Sequence, residues 1–206
     1  MNPPLTLVSL PLFPLRTVLF PDGRLTLRVF EQRYRTMVRC CLEQDAPFGV
    51  VTLTHSQNEA AEQPAQGRFH PLGTLAKITQ LSAISPQLAL LQGQGYERFR
   101  ITSTRQLQSS IWVADVQLLP PDMSMAIPPD LAHSATALRQ VLNKLPQQPI
   151  MLPASDVRWN ECGWVANRWC ELLPLDTDLQ LQLLETASPL LRLELVTDAL
   201  ERAGIV

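Results

Sequence analysis

The 206-residue sequence predicts an α+β protein in two parts, a β-rich lobe with one amphipathic helix over residues 1–120 and a helical bundle lobe over residues 131–206. Three observations carry this. Up to Leu119 the apolar residues fall in short runs, some with period two, separated by turn signals. Beyond Asp130 the apolar spacing becomes helical. Between them, Pro120-Pro121-Asp122 and Pro128-Pro129-Asp130 mark a stiff proline-rich linker, assigned to residues 121–130.

Taken in order, Leu5–Leu12 and Leu15–Phe20 read as two strands, the second ending in the turn Pro21-Asp22-Gly23. Arg24–Val29 alternates polar and apolar residues and reads as a half-buried strand. From Phe30 the period changes, with Phe30, Tyr34, Met37, Val38, Cys41 and Leu42 on one helical face. Glu31, Arg33, Arg35 and Arg39 take the other faces, so the helix is expected to show a basic outer side, read as a solvated face. Glu31 and Arg35 have the spacing of an i,i+4 ion pair. Phe48–Thr54 resumes as a strand, and His55–His70 reads as a long polar loop. Leu72–Leu81, Leu88–Leu91, Tyr96–Thr102 and Ile111–Leu119 complete the strands, with Gly93-Gln94-Gly95 as a hairpin turn. Such a set suggests a closed or nearly closed barrel.

In the second lobe, Leu131, Ala135, Leu138, Val141 and Leu142 are spaced for one apolar stripe. A second helix is expected from about Val157 to Leu173, capped by Ser155 or Asp156, and a third from near Asp176–Asp178. The last has Ser188 as N-cap, Pro189 at its first position and Gly204 just past its end. Four such helices make a small bundle.

Composition narrows function. With 46% hydrophobic and 17% charged residues the chain should fold. The net charge is −2, and only Lys77 and Lys144 among the 17 basic residues are lysine. That lacks the basic excess by which proteins hold phosphate backbones, so no nucleic-acid partner is expected. The apolar start, Met1 to Asp22, has no basic n-region and is broken by Pro3, Pro4, Pro11 and Pro14. No apolar run approaches the roughly twenty residues a bilayer requires. A cytoplasmic chain without a membrane partner is expected. Cys40, Cys41, Cys162 and Cys170 show no Cys-x-x-Cys spacing and read as reduced, buried thiols.

Motifs for chemistry are missing. Neither lysine stands in a Gly-x-x-x-x-Gly-Lys-Ser/Thr phosphate loop, and Gly93-x-Gly95 lacks the third glycine of a dinucleotide fingerprint. His55, His70 and His133 are scattered, with no Gly-x-Ser-x-Gly elbow and no His-Glu-x-x-His helix. A Ser–Lys dyad stays open by pattern alone, although Lys77 lies in a strand-like run and Lys144 at a helix end. Trp159, Trp164 and Trp169 share a predicted helix; spaced five apart they spread around it and read as packing between bundle and barrel, not as an aromatic cage. No catalytic, cofactor or metal residue is assigned.

Leu10-Pro11-Leu12-Phe13-Pro14-Leu15-Arg16, Val18-Leu19-Phe20-Pro21 and Phe30-Glu31-Gln32-Arg33-Tyr34-Arg35 resemble the opening of the Lon N-terminal domain family. Phe48-Gly49-Val50-Val51, Gly73-Thr74-Leu75-Ala76-Lys77-Ile78 and Gly95-Tyr96-Glu97-Arg98-Phe99-Arg100-Ile101 are similar to its later strands, and Leu183-Leu184-Glu185 with Arg192-Leu193 to its last helices. The resemblance implies a PUA-like β-pseudobarrel lobe followed by a helical lobe. In that family this region recognises protein substrates while separate domains hydrolyse ATP and cut peptides, so a free-standing, non-catalytic binder of unfolded or specific polypeptides is expected. The motif residues Phe13, Leu15, Val18 and Leu19 are expected to fill the barrel. An adaptor to one partner, such as a protease, is the alternative, and an RNA-binding module ranks behind it. Binding is expected near the groove between the lobes or beside the His55–His70 loop; the sequence assigns no ligand-binding residue and no oligomeric state.

Overall fold

No polar side chain interrupts Phe48–Val51, which calls for a strand covered on both faces, and the computed structural model shows why. It describes residues 5–54, 69–144 and 157–205, and the chain divides into two compact units, Met1–Pro120 and Pro121–Val206.

The first unit holds strands β1 (Thr6–Leu15), β2 (Arg24–Val29), β3 (Phe48–Leu53), β4 (Phe69–Ser85), β5 (Leu88–Gln106) and β6 (Trp112–Leu118), with helix α1 (Gln32–Glu43) between β2 and β3. They form one mixed six-stranded sheet in the order β2-β5-β4-β3-β1-β6, and β5 also pairs with β6. That last pairing closes β1, β3, β4, β5 and β6 into a ring. Period-two alternation sends Leu12, Val51 and Leu75 into one apolar layer with Phe99, and Phe13, Val50 and Ala76 into another with Tyr34, Met37 and Val38 of α1.

Phe99 is fully buried, and its ring lies so close to the backbone of β3 and β4 that a Cβ on Gly49 or Gly73 would stand 2.8 or 2.4 Å from its Cζ. Those two glycines are the seat of the ring. Gly95 has a similar reason: a Cβ there would come 2.7 Å from the Phe20 carbonyl oxygen. The turn Phe20-Pro21-Asp22-Gly23, closed by Gly23 N–H to Phe20 O at 2.9 Å, has Asp22 at φ 64°, as the third residue of a type II turn requires. Asp22 N–H donates to Gly95 O and Gly95 N–H to Gly23 O, both at 2.8 Å.

Several expectations are corrected here. The glycine pair is not a hairpin turn but the middle of β5; the chain reverses at Pro86-Gln87, and Gly93 pairs with Ile78 inside the β4–β5 ladder, whose register shifts between Ile78 and Gln80. Leu5–Leu12 and Leu15–Phe20 are not two strands. Pro11 and Pro14 both lie inside β1, which pairs with β6 along its first half and with β3 from Leu12 on. Proline's φ suits extended chain, and neither residue interrupts this ladder. Residues 16–20 are held instead by hydroxyls, Thr74 Oγ1 donating to Leu19 O at 2.6 Å and Thr52 Oγ1 to Thr17 O at 3.4 Å. Phe30 precedes α1 and is 69% exposed, and Leu42 also faces out. Glu31 is the N-cap with extended backbone, so it does not share a helix face with Arg35. It pairs with Arg33 at 2.8 Å, while Arg35 donates to Pro86 O and Gln32 Oε1. Leu19 and Phe13 are buried as expected, with Leu15 and Val18 partly so. The His55–His70 loop lies, except for its last two residues, outside the described residues.

The second unit contains a 3-10 turn (Pro129–Leu131) and helices α2 (Ala132–Lys144), α3 (Cys162–Leu172), α4 (Thr177–Glu185) and α5 (Pro189–Arg202). The Ser188 cap holds, its side chain accepting from Leu191 N–H at 3.3 Å, and α4 begins where expected with Asp176 accepting from Leu179 N–H at 2.7 Å. Gly204, at φ 66°, donates to Glu201 O and Ile205 N–H to Leu200 O, the paired bonds of a Schellman ending. Helix α3 starts five residues later than expected, because the residues before it pair sideways. Ala126 and Glu161 form a bridge, Ile127 N–H donates to Asn160 O and Cys162 N–H to Met125 O. The expected caps Ser155 and Asp156 lie outside the described residues. Trp159 therefore precedes the helix and meets Trp164 edge to face at 5.2 Å, while Trp169 is buried with its Nε1–H donating to Ser134 O at 3.0 Å.

Arg192 of α5, 1% exposed, spends all five guanidinium donors. Nε donates to Leu183 O, Nη1 to Asp122 Oδ2 and Asn167 Oδ1, and Nη2 to Asp122 Oδ1 and Thr186 O, at 2.5 to 3.0 Å. A Cβ at position 163 would stand 2.7 Å from Asp122 Oδ2, so Gly163 leaves room for the carboxylate. Removing one partner of a buried pair costs about 3–5 kcal/mol. Arg192→Met should therefore lower the unfolding free energy by that order in a urea titration, and Arg192→Lys should not restore it, because an ammonium cannot make the forked contact.

Candidate functional site

The half of β1 that precedes Leu12 has β6 on one side but no β3 on the other, because β3 begins opposite Leu12. Helix α1 stands across that gap. Between them lies a cavity of about 800 Å³ within the first unit, floored by Leu10, Pro11, Met37, Cys41, Ile111 and Val113 and bounded by Ala46 and Pro47 where the chain enters β3. Two exposed apolar side chains stand on its rim, Val8 at 77% and Leu107 at 39% exposure, among polar ones such as Gln32 and Thr36. Among the described residues that line it, Arg33 carries the single charge, and its Nη1 donates to Ser110 O at 2.9 Å.

A bulge shapes the mouth. The β1–β6 register shifts between Leu7 and Leu10, where Ser9 takes φ 58°. Asp115 holds this kink, its Oδ1 accepting from Ser9 N–H and its Oδ2 from Ser103 Oγ, both at 2.9 Å; Arg105 Nη2 donates to Ser9 Oγ at 2.6 Å. The Ser9 backbone bond, the Ser103 hydroxyl and the nearby Arg105 charge hold the Asp115 carboxyl below its usual range.

Such a lining binds apolar groups and offers no acid–base pair, since it includes neither histidine nor carboxylate. The titratable groups considered from sequence are not brought together. His70 accepts from Leu72 N–H in β4, His133 opens α2, and His55 lies outside the described residues. Lys77 pairs with Asp45 at 2.9 Å, and Lys144 ends α2. Among the described residues no cluster of metal-binding side chains occurs, and the four cysteines are free thiols. One correction applies: Cys40, on the cavity wall, is exposed, because it follows the outer face of α1. Burial pushes the Cys41 thiol up to about 11 and the Cys170 thiol up to about 12, and raises Cys162 as well.

A second, smaller cavity of about 410 Å³ runs along the end of β2, past Leu27, Arg28, Val29 and Phe30, against Phe13, Tyr34 and Trp112. Neither cavity was placed by the sequence, whose expected sites were the inter-lobe groove and the His55–His70 loop. The one available signal was the break in period two at Leu7-Val8-Ser9-Leu10, which marks the bulge.

The family model of the ATP-dependent protease La (LON) substrate-binding domain matches residues 9–202. The Lon protease of Anaeromyxobacter dehalogenans (strain 2CP-C) is 25% identical over 198 residues, covering 94% of this chain and 23% of that protein. Lon protease 2 of Myxococcus xanthus is 33% identical over 98 residues, 47% of this chain and 12% of the relative. The chain thus spans less than a quarter of the length of these curated relatives. Among solved structures, the Lon N-terminal domain protein from Xanthomonas campestris superposes with a TM-score of 0.74 at 29% identity, covering 93% of this chain and 98% of that one. The N-terminal domain of the Mycobacterium avium complex Lon protease gives 0.60 at 14% identity, covering 92% and 96%, a likeness of fold.

Two measurements check the site's chemistry. In the native protein at pH 8 a thiol reagent should label Cys40 quickly and the other three cysteines only on unfolding, and Cys40→Ser should remove the fast phase. Because the folded Asp115 pKa lies below its unfolded value, its contribution is present at neutral pH and fades as pH falls through the folded pKa. Asp115→Asn should accordingly be less stable than the parent at pH 7, with the gap closing in acid when urea midpoints are compared.

Proposed function

Since this chain belongs to the family of ATP-dependent protease La (LON) substrate-binding domains, we propose that it is a non-catalytic module that recognises polypeptides through the apolar cavity between β1 and α1. The family match carries the reading, because it is confined to the substrate-recognition domain; the cavity gives that role a place. A segment rich in aliphatic or aromatic side chains fits its floor, and the exposed Val8 and Leu107 offer first contact. The sequence has no phosphate-binding loop of the kind a motor would need.

The same reading takes the ring of strands as a PUA-like pseudobarrel covering residues 1–120, residues 121–130 as the linker and residues 131–206 as a helical bundle, in a protein that works in the cytoplasm. Support comes from the strand order, the contact division after Pro120 and the fold shared with Lon N-terminal domains. Among the described residues no helix is long and apolar enough to cross a membrane.

Binding of a labelled, permanently unfolded polypeptide measures this directly. Burying a large apolar side chain is worth about 1.5–3 kcal/mol, so Val8→Asp with Leu107→Asp should weaken binding at least about tenfold. Both positions are exposed, and the thermal midpoint should hardly change. Unaltered affinity in the double variant would remove the cavity from the account. A single stoichiometric partner in crosslinked captures, with no affinity for unfolded chains, would make the protein an adaptor instead.

A further inference from the structure

Closing the ring through β1 and β6 leaves β2 outside it, paired with β5 alone among the described residues. A strand with one bare edge is a template for another strand. Along β2 the side chains alternate: Arg24, Thr26 and Arg28 are exposed, while Leu25 and Val29 are buried and Leu27 is partly so. Arg24 and Arg28 have no ion-pair partner among the described residues. The 410 Å³ cavity follows four successive residues of this segment, as a groove along a backbone edge does, and is apolar across from it at Phe13, Tyr34 and Trp112. Its other charges, Glu31 and Arg33, neutralise each other at 2.8 Å, which leaves Arg28 as the free charge there. Asp22 stands in the turn before Arg24, where its backbone N–H donates to Gly95 O.

We propose that the bare edge of β2 accepts an extended polypeptide segment in which acidic and apolar side chains alternate. Its main chain continues the sheet beside β2. Residues on one face set carboxylates against Arg24 and Arg28, and those on the other send apolar groups toward the cavity, as strand alternation dictates. A second copy of this chain is a poor occupant: a two-fold antiparallel pairing centred on Thr26 would place Arg24 of one copy opposite Arg28 of the other, and like charges directly opposite are destabilising. The site is separate from the β1–α1 cavity and rests on the proposed function only for the class of its ligand.

Fluorescence anisotropy of the full chain tests it with three short labelled peptides: alternating Glu and Val, alternating Lys and Val, and the Glu–Val peptide N-methylated at every second residue. The Glu–Val peptide should bind, the Lys–Val peptide should not, and N-methylation should abolish binding by removing backbone donors. With opposite-charge cross-strand pairs worth about 0.2–1 kcal/mol each, Arg24→Gln with Arg28→Gln should weaken the Glu–Val peptide about fivefold. Equal binding of the Lys–Val or N-methylated peptide overturns the proposal. So does a doubly substituted protein that binds Glu–Val unchanged while it begins to self-associate, in which case the arginines only guard the edge. The variant with Val8→Asp and Leu107→Asp should keep its affinity for Glu–Val, so this site and the β1–α1 cavity fail or stand on different proteins.

Discussion

The second unit is organised around the buried guanidinium of Arg192. Taking a guanidinium out of water costs several kcal/mol, and only a full set of partners offsets it. Arg192 finds that set in three different places: the Asp122 carboxylate, the Asn167 side chain on α3, and two carbonyls at the end of α4. Its needs fix where α4 stops, how closely α3 approaches Asp122 and why a glycine stands at 163. The Arg-Leu pair noticed in the sequence thus has a physical meaning, with Arg192 satisfying polar groups and Leu193 fully buried beside it.

The first unit rests on an apolar counterpart. Phe99 can pack against β3 and β4 only because positions 49 and 73 lack side chains, and the turn at residues 20–23 can dock on β5 only because position 95 does. These glycines fall in the sequence motifs that suggested the family. One of them, Gly95, together with Gly93, also produced the clearest misreading. A glycine doublet between apolar runs looks like a turn, but here the absence of side chains serves close approach of other backbone, which no local pattern reveals.

What the sequence made legible were features set by nearby residues. The alternation in Arg24–Val29, the helical stripe of Tyr34, Met37, Val38 and Cys41, the helix start near Asp176, and the helix ends at Ser188 and Gly204 were all readable because a few neighbours decide them. The start of α3 was not, because it depends on residues 125–127 pairing beside it. The candidate site was legible least. Its cavity arises where β3 falls short of β1 and where Ser9 is kinked by Asp115, a residue more than a hundred positions away. Its walls come from segments that share no pattern.

The ring of strands also constrains how the chain can be made. Its β1–β6 seam joins Thr6–Pro11 to Val113–Gln117, the first strand to the last, so this contact of the ring spans nearly the whole unit. Such distant pairings pay a large loop-closure entropy before they return any stability. On a ribosome, β1 emerges before the other strands of this unit, yet half of it must wait for β6. Until then its apolar residues Leu7 and Leu10 lie against an open seam, so the first of these strands to be made is the last one secured.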